Sequence, residues 1–353
     1  MHDTPSLADI PLVVEAYSRH TPLFASLELT LRCNLRCTHC YNFDRSGPPP
    51  EADGLAPDEW RAIIDALVAE GCLEVCFTGG EALLHPHLMD LIRHARRHMC
   101  AVRLKSNGVA LDATRARQLH EAGVYALDVS VYGASAATHD ALTTVAGSHR
   151  RTLEGARAAR DAGLRVTLSF CITRENAGEV GAMMALAEAE GLRHTLDPQI
   201  SARYDGSRSS LGHRVEPETL EALYRGPLAD ALGTPTCRQD ADMQCSCARG
   251  VVAVAANGDV YPCIAAPVVA GNVRDGGFQH VWRTSPVLNR IRGLSLADYP
   301  TCAACPDRGF CRRSNGVAYV NTGSYTGVDP WSCDEAAIIR RIAEGAPPPA
   351  GAT

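Results

Sequence analysis

Three cysteines, Cys33, Cys37 and Cys40, fall within the eight residues CNLRCTHC, directly after the apolar run FASLELTL. Their spacing puts the thiols on one tight loop, close enough to ligate three corners of a cubane iron–sulfur cluster, whose irons take thiolates. The fourth iron is then left without a protein ligand, and open coordination positions are where metal sites do chemistry. Zinc with a distant fourth ligand such as His39 or His85 is the competing reading of the same spacing. The chain holds fifteen cysteines, an odd number, and its start, MHDTPSLADI, lacks the basic end and apolar core of an export signal. Disulfides are disfavoured in reducing cytosol, so a cytoplasmic chain this rich in thiols points to metal or cluster ligation.

Such a loop needs a scaffold, and 353 residues suggest one large or two fused domains. Apolar residues make up 46 % and charged ones 21 %, the balance of a globular protein with a substantial core. A net charge of −6 with Lys and Arg dispersed leaves no electrostatic footprint for nucleic acid and no polybasic membrane patch. No stretch reaches the ~18 consecutive apolar residues of a membrane span.

Four segments, AEGCLEVCFTG, EAGVYALDVSV, DAGLRVTLSF and AEGLRHTLDP, share one grammar: a helix ends at Gly71, Gly123, Gly163 or Gly191 and a β-branched run follows. Helices such as PDEWRAIIDALVAE place Trp60, Ile63, Ile64, Leu67 and Val68 on one face. This alternation predicts a parallel sheet, with six strands at about 24–30, 73–78, 101–106, 125–131, 165–171 and 193–197. The fold class is therefore α/β, a partial (β/α)6 TIM-like barrel short of the full eight units, followed by a small cysteine-rich domain. The boundaries expected are an N-terminal extension at 1–22, the barrel at 23–200, a connector at 201–236, the cysteine-rich module at 237–338 and a tail at 339–353. Within the connector, RYDGSRSSLGHR (203–214) reads as flexible, and in VVAVAANGDVYPC the pair Asn257-Gly258 signals a hairpin.

CNLRCTHC, as CxxxCxxC after the first strand, resembles the radical S-adenosylmethionine (radical SAM) superfamily. The resemblance implies a [4Fe-4S] cluster whose open iron chelates S-adenosylmethionine, cleaved reductively to methionine and a 5′-deoxyadenosyl radical that takes a hydrogen atom from substrate. TGGE (78–81) looks like the family's GGE motif, with Gly79 and Gly80 letting the backbone approach the methionine end and Glu81 accepting from its ammonium group. Ser106 and Asn107, in SNG after the third strand, and Ser130, at the end of the fourth, are similar to the family's ribose- or methionine-side contacts. All fall at the C-terminal ends of successive strands, the face where barrel enzymes build active sites. One position departs: Thr143 stands where many relatives carry an Arg for the carboxylate, and Arg174 is the substitute considered.

Cys302, Cys305, Cys311 and Cys333, with Cys247, Gly258 and Cys263 upstream, resemble the SPASM extension, which typically holds two auxiliary iron–sulfur clusters. On spacing alone a structural zinc site suits the CxxC and its two followers equally. Carried over by position, Cys302, Cys305, Cys311 and Cys333 complete a distal cluster. The proximal set lacks its final cysteine, because Asn315 stands there; Cys247 and Cys263 remain, with Cys245 and Cys237 as candidates. A non-cysteine ligand, an open iron or no proximal cluster are the alternatives. Cys72, Cys76, Cys100 and Cys171 read as small packing residues, and His85, His87, His94 and His98 as a solvated helical face. Asp197 and Gln199, after the last strand, are the candidates to face substrate.

Members with this extension mostly crosslink, epimerise or oxidise ribosomally synthesised peptides. The resemblance therefore implies a radical SAM oxidoreductase acting on a peptide, supplied with electrons by a flavodoxin- or ferredoxin-type reductant protein. Sulfatase maturation is an alternative, although Ile264 stands where an Asp typically follows; haem or tetrapyrrole processing is another. A zinc-stapled binding module without catalysis is the reading from a different class. Some 23 residues precede the first strand, where many peptide modifiers carry a recognition domain. Capture then falls to the barrel mouth, the 203–214 stretch or a separate peptide-recognition protein.

Overall fold

Six parallel strands alternate with helices where the glycine-punctuated pattern requires: β1 Phe24–Glu28, β2 Glu74–Thr78, β3 Ala101–Ser106, β4 Val124–Val131, β5 Arg165–Cys171 and β6 Arg193–Asp197. The computed structural model describes residues 11–43, 54–229 and 245–346, so Cys237 lies outside the described residues. Between the strands run α2 (Pro57–Ala69), α3 (Leu88–Arg97), α4 (Ala113–Ala122), α5 (Ala136–Thr143), α6 (Ser148–Asp161) and α7 (Val180–Ala189), after a short leading α1 (Pro11–Ser18). Gly123 ends α4 at φ 96°, a left-handed conformation that frees its N–H to close on His120 O and turns the chain into β4.

Each strand sorts its side chains by period two. Leu27, Phe77, Leu104, Leu127, Val129 and Leu168 face the helix layer and are fully buried with Trp60, Ile63, Ile64 and Leu67 of α2. Burying each such aliphatic side chain stabilises by roughly 1.5–3 kcal/mol. The alternate positions carry Ser26, Lys105, Asp128, Ser130, Ser169, Thr195 and Asp197, which line a cavity inside the curve of the sheet. A polar lumen left open to ligand, instead of one filled with packed side chains, is what separates this partial barrel from a closed eight-stranded one. Nearer the N-terminal ends of the strands, Arg103 pairs with Glu74 at 2.9 Å and with Asp128 at 3.1 Å.

The cysteine-rich region shares the barrel's sheet. Its hairpin, β7 (Val251–Val254) and β8 (Val260–Tyr261), turns over Asn257-Gly258 as expected, but β7 also pairs in parallel with β1, Phe24 opposite Val251. The sheet therefore has eight strands, in the order β6-β5-β4-β3-β2-β1-β7-β8. The last helix, Pro330–Ala343, runs past the boundary expected at 338 and packs on Pro217–Arg225. Among the described residues no helix is long and apolar enough to cross a membrane.

The stretch at 203–214 is packed, contrary to the flexible connector expected. Arg203 is buried, and its guanidinium donates to Cys40 O at 3.0 Å and Thr38 O at 2.5 Å. Ser209–His213 forms a short 3₁₀ turn whose His213 carbonyl accepts from Arg174 N. A polar composition reads as a linker, yet here the polar groups are consumed by carbonyls of another loop.

Candidate active site

The strands of the barrel end at one mouth, around a cavity of about 470 Å³. Cys33, Cys37, Cys40, Gly79, Gly80, Ser106, Asn107, Ser130, Asp197 and Gln199 all line it. The loop carrying the thiols is held on both sides of Cys37: Arg36 N donates to Thr143 O at 3.1 Å and Thr38 N to Leu142 O at 2.9 Å. Thr143, which replaces the expected arginine, is fully buried at the end of α5 and supports the cysteine loop through its carbonyl. Arg174 does not line the cavity; its side chain is 58 % exposed beside Glu175.

Donors are aimed at the first sulfur. Leu35 N lies 3.4 Å and Asn107 Nδ2 3.7 Å from Cys33 Sγ, contacts that suit a thiolate. Three convergent thiols on one loop, with amide donors turned toward sulfur and a cavity beside them, fit a cluster held by three cysteines.

The GGE segment is held by close backbone contacts. A Cβ on Gly79 would sit 2.4 Å from Thr30 O, and one on Gly80 would sit 2.4 Å from Arg32 O. Both glycines let strand β2's end press against the backbone leading into the cysteine loop, with Gly80 N donating to Thr30 O at 2.6 Å. Glu81 is turned inward and 1 % exposed. Its carboxylate accepts from Ser106 Oγ at 2.9 Å, Asn107 N at 2.7 Å and Leu83 N at 3.0 Å. Burial raises its carboxyl above the usual range and these donors oppose the rise. Glu81 thus locks the SNG loop to the GGE turn, and Asn107 carries that lock to Cys33.

Tyr41, Tyr132 and Tyr204 are wall residues not singled out in the sequence, where His39 stood only as a possible zinc ligand. His39 lies edge-on to Tyr132 at 4.4 Å, and burial followed by the nearby His213 lowers it to about 4, keeping the imidazole neutral. Tyr41 packs against Tyr204 at 5.0 Å, and Tyr204 donates its hydroxyl to Ile264 O, next to Cys263. Cys171, expected as core packing, instead faces the cavity, because it shares the lumen side of β5 with Ser169. Asp197 accepts from Gln199 N at 2.9 Å, and burial raises its carboxyl, offset in part by Gln199 N and Lys105.

Arg203 and Tyr204 strap the cysteine loop to the Cys263 hairpin. Replacing Arg203 with Ala strips buried carbonyls of Thr38 and Cys40 of a charged donor, so stability should fall by about 2 kcal/mol in chemical denaturation. Cluster iron should also be retained less well on gel filtration; an unchanged midpoint and unchanged iron would show that the strap is dispensable.

The C-terminal thiols form two groups. Burial and the nearby Cys311, Cys302 and Cys305 push the Cys333 thiol up to about 11, so these three reach Cys333 electrostatically. Cys247 Sγ is 2.9 Å from Cys263 Sγ, Cys245 neighbours Cys247, and Asn315 Nδ2 reaches Cys245 Sγ at 3.8 Å. Away from both, His94 of α3 and His98 just after it direct Nε2 to Asp65 at 2.6 and 3.0 Å, so this part of the face is a hydrogen-bonded cluster more than a merely solvated one.

Comparison with known proteins places this geometry. Residues 27–187 match the radical SAM superfamily, and residues 245–306 match SPASM, an iron–sulfur cluster-binding domain. A PqqA peptide cyclase of Xanthomonas euvesicatoria pv. vesicatoria is 30 % identical, over 91 % of this chain and 90 % of that protein. An AdoMet-dependent heme synthase of Methanosarcina barkeri is 27 % identical, over 88 % of this chain and 96 % of that protein. Streptococcus suis SuiB, in its crystal structure bound to the precursor peptide SuiA, shares the fold at a TM-score of 0.69 and 15 % identity, over 91 % of this chain and 78 % of that one. The chain belongs to the radical SAM superfamily, as an enzyme with a C-terminal SPASM iron–sulfur cluster-binding domain.

Proposed function

We propose that this enzyme modifies a ribosomally synthesised peptide by removing a hydrogen atom from one of its residues, leading to a crosslink, an epimer or an oxidised side chain. The observation that carries the proposal is the shape of the path to the cysteine loop. The main cavity and a second hollow of about 210 Å³ share Asp197 and Gln199. The second hollow continues past Pro198 to Tyr224, Arg312 and Glu335, on the side where β6 ends the sheet. An extended chain fits such a run, with one residue inside and its neighbours along the groove. The PqqA peptide cyclase relative supports the same substrate class.

Cys33, Cys37 and Cys40 would hold the [4Fe-4S] cluster, which with S-adenosylmethionine bound supplies the 5′-deoxyadenosyl radical that takes the hydrogen. The chain's own residues bind and orient. Asn107 and Leu35 N fix the Cys33 sulfur, and Glu81 holds the SNG loop against it. Ser106, Asn107 and Ser130 offer polar groups on the cavity wall where ribose and methionine groups would lie. Neutral His39 and Tyr132 close the side of the loop without adding charge. Asp197 and Gln199, where the two hollows join, position the substrate. Asp197→Asn should therefore leave cleavage of S-adenosylmethionine without substrate unchanged while slowing peptide modification at least about tenfold, the worth of one well-placed hydrogen bond.

The heme synthase relative raises a tetrapyrrole as the second reading. The size of the cavity opposes it. At about 470 Å³ it lies toward the small end of the ~300–1,000 Å³ that hold one drug-sized ligand, and S-adenosylmethionine must share it.

The remaining partners belong to the same proposal: a flavodoxin- or ferredoxin-type reductant protein, a separate peptide-recognition protein that delivers the precursor, and a cytoplasmic setting that keeps the clusters reduced. Co-expression with each short peptide encoded beside its gene, followed by mass spectrometry, tests the substrate. One peptide should change mass only when Cys33, Cys37 and Cys40 are intact. If every peptide returns unchanged while a coproporphyrin-type tetrapyrrole is consumed in a lysate of the same cells, the peptide assignment is wrong.

A further inference from the structure

We propose that Cys245 is a ligand of the proximal auxiliary cluster, with Cys247 and Cys263, and that Asn315 is not a ligand but a hydrogen-bond donor to the Cys245 thiolate. The inference rests on the cluster-binding domain and not on the identity of the substrate, so it stands or fails separately from the peptide assignment.

The orientation of the Asn315 side chain carries the argument. Asn315 is 1 % exposed at the start of helix Asn315–Thr322, and Arg313 Nε lies 2.8 Å from one atom of its carboxamide. A guanidinium can only donate, so that atom is the oxygen. The NH₂ group then faces Cys245 Sγ at 3.8 Å, and an amide nitrogen with both hydrogens has no lone pair to give an iron. Arg313 is itself fixed: NH2 donates to Tyr325 O at 2.8 Å, NH1 donates to Gly327 O, and the guanidinium lies over the Tyr299 ring at 5.3 Å. The carboxamide therefore cannot flip without breaking a clamped group.

Cys245 is the recipient. Besides Asn315 Nδ2, the Tyr325 hydroxyl lies 3.6 Å from its sulfur. A thiol is a weak acceptor with a hydrogen of its own to place, whereas a thiolate accepts from both groups at once. Asn315 Nδ2 must donate and the Tyr325 hydroxyl can, and these two groups turned onto one sulfur, beside the Cys247–Cys263 pair at 2.9 Å, point to Cys245 as the thiolate that stands in for the cysteine absent at 315. Hydrogen bonds to cluster sulfurs stabilise the reduced form and raise the reduction potential.

The test uses the full chain, reconstituted anaerobically without substrate, with iron and sulfide counted per chain and auxiliary potentials followed by EPR-monitored titration. Cys245→Ala should lose one cluster's share of iron while the other clusters keep theirs, which controls for misfolding. Asn315→Ala should keep full iron but shift one auxiliary potential downward, Arg313→Ala should shift the same one in the same direction, and Asn315→Cys should add no iron. The proposal is overturned if Cys245→Ala keeps all its iron, if Asn315→Ala loses a cluster's share, if Asn315→Cys gains iron, or if the potential is unmoved in Asn315→Ala.

Discussion

Replacing Cys37 with Ala is expected to remove one cluster's share of iron and to reduce release of 5′-deoxyadenosine, from S-adenosylmethionine and reductant, by more than about 100-fold. The bound follows from comparison, since losing even an outer partner of a metal ligand typically costs ~10–100-fold. Cys37 is the sharpest of the three positions because its flanks are anchored independently of its sulfur, Arg36 N on Thr143 O and Thr38 N on Leu142 O. The loop should keep its course, so the fold should melt near the wild-type temperature while activity is gone. At Cys33 the sulfur also receives Leu35 N and Asn107 Nδ2, and a substitution there would mix ligand loss with loop rearrangement. Cys37→Ala releasing 5′-deoxyadenosine at a wild-type rate would remove the loop from the chemistry.

The second large effect is expected from a single methyl group. Gly80→Ala would place Cβ 2.4 Å from Arg32 O, 2.6 Å from Leu31 O and 2.8 Å from Arg32 C. These are backbone atoms that cannot rotate away, so the segment between β1 and Cys33 must move, at a cost of about 3 kcal/mol, the upper part of the usual overpacking range. Because Gly80 N also donates to Thr30 O at 2.6 Å, displacement breaks the contact that sets where the cysteine loop begins. A lower melting temperature, incomplete cluster loading and loss of turnover should appear together. Gly181→Ala is the control: it sits in α7 with nothing within 4 Å of the new Cβ, and should be neutral or stabilise by up to about 1 kcal/mol. Equal behaviour of the two variants would mean that the close approach at Gly80 is not needed.

What could be read from the sequence was what local rules govern. Gly71, Gly123, Gly163 and Gly191 end their helices at φ 92°, 96°, 92° and 63°, and β2, β4, β5 and β6 follow them within a few residues. Contacts between distant segments were not legible. The pairing of β7 with β1 joins Val251 to Phe24, and no turn or period announces it. Arg203 reads as linker because its acceptors, Cys40 O and Thr38 O, lie 163 and 165 residues away in the chain. Glu81 was recognisable as a conspicuous acid after two glycines, yet its task depends on Ser106 and Asn107 of the next loop. Cys171 is the exception, a reading that could have been improved: in RVTLSFC it shares the period-two face of Thr167 and Ser169, the polar face of an otherwise apolar strand. Asn315 and Cys245 could both be singled out in the sequence, one as a missing cysteine and the other as a candidate ligand, but their contact at 3.8 Å shows only where the chain folds back.

The central claim, that the mouth of this barrel takes a hydrogen atom from a peptide, is tested most directly by following that atom. The reconstituted enzyme is incubated anaerobically with S-adenosylmethionine, dithionite and the short peptide encoded beside its gene, synthesised with deuterium at its carbon-bound positions. The account predicts 5′-deoxyadenosine one mass unit heavier than with unlabelled peptide, formed in step with a peptide of altered mass. Unlabelled 5′-deoxyadenosine alongside an unchanged peptide would contradict it.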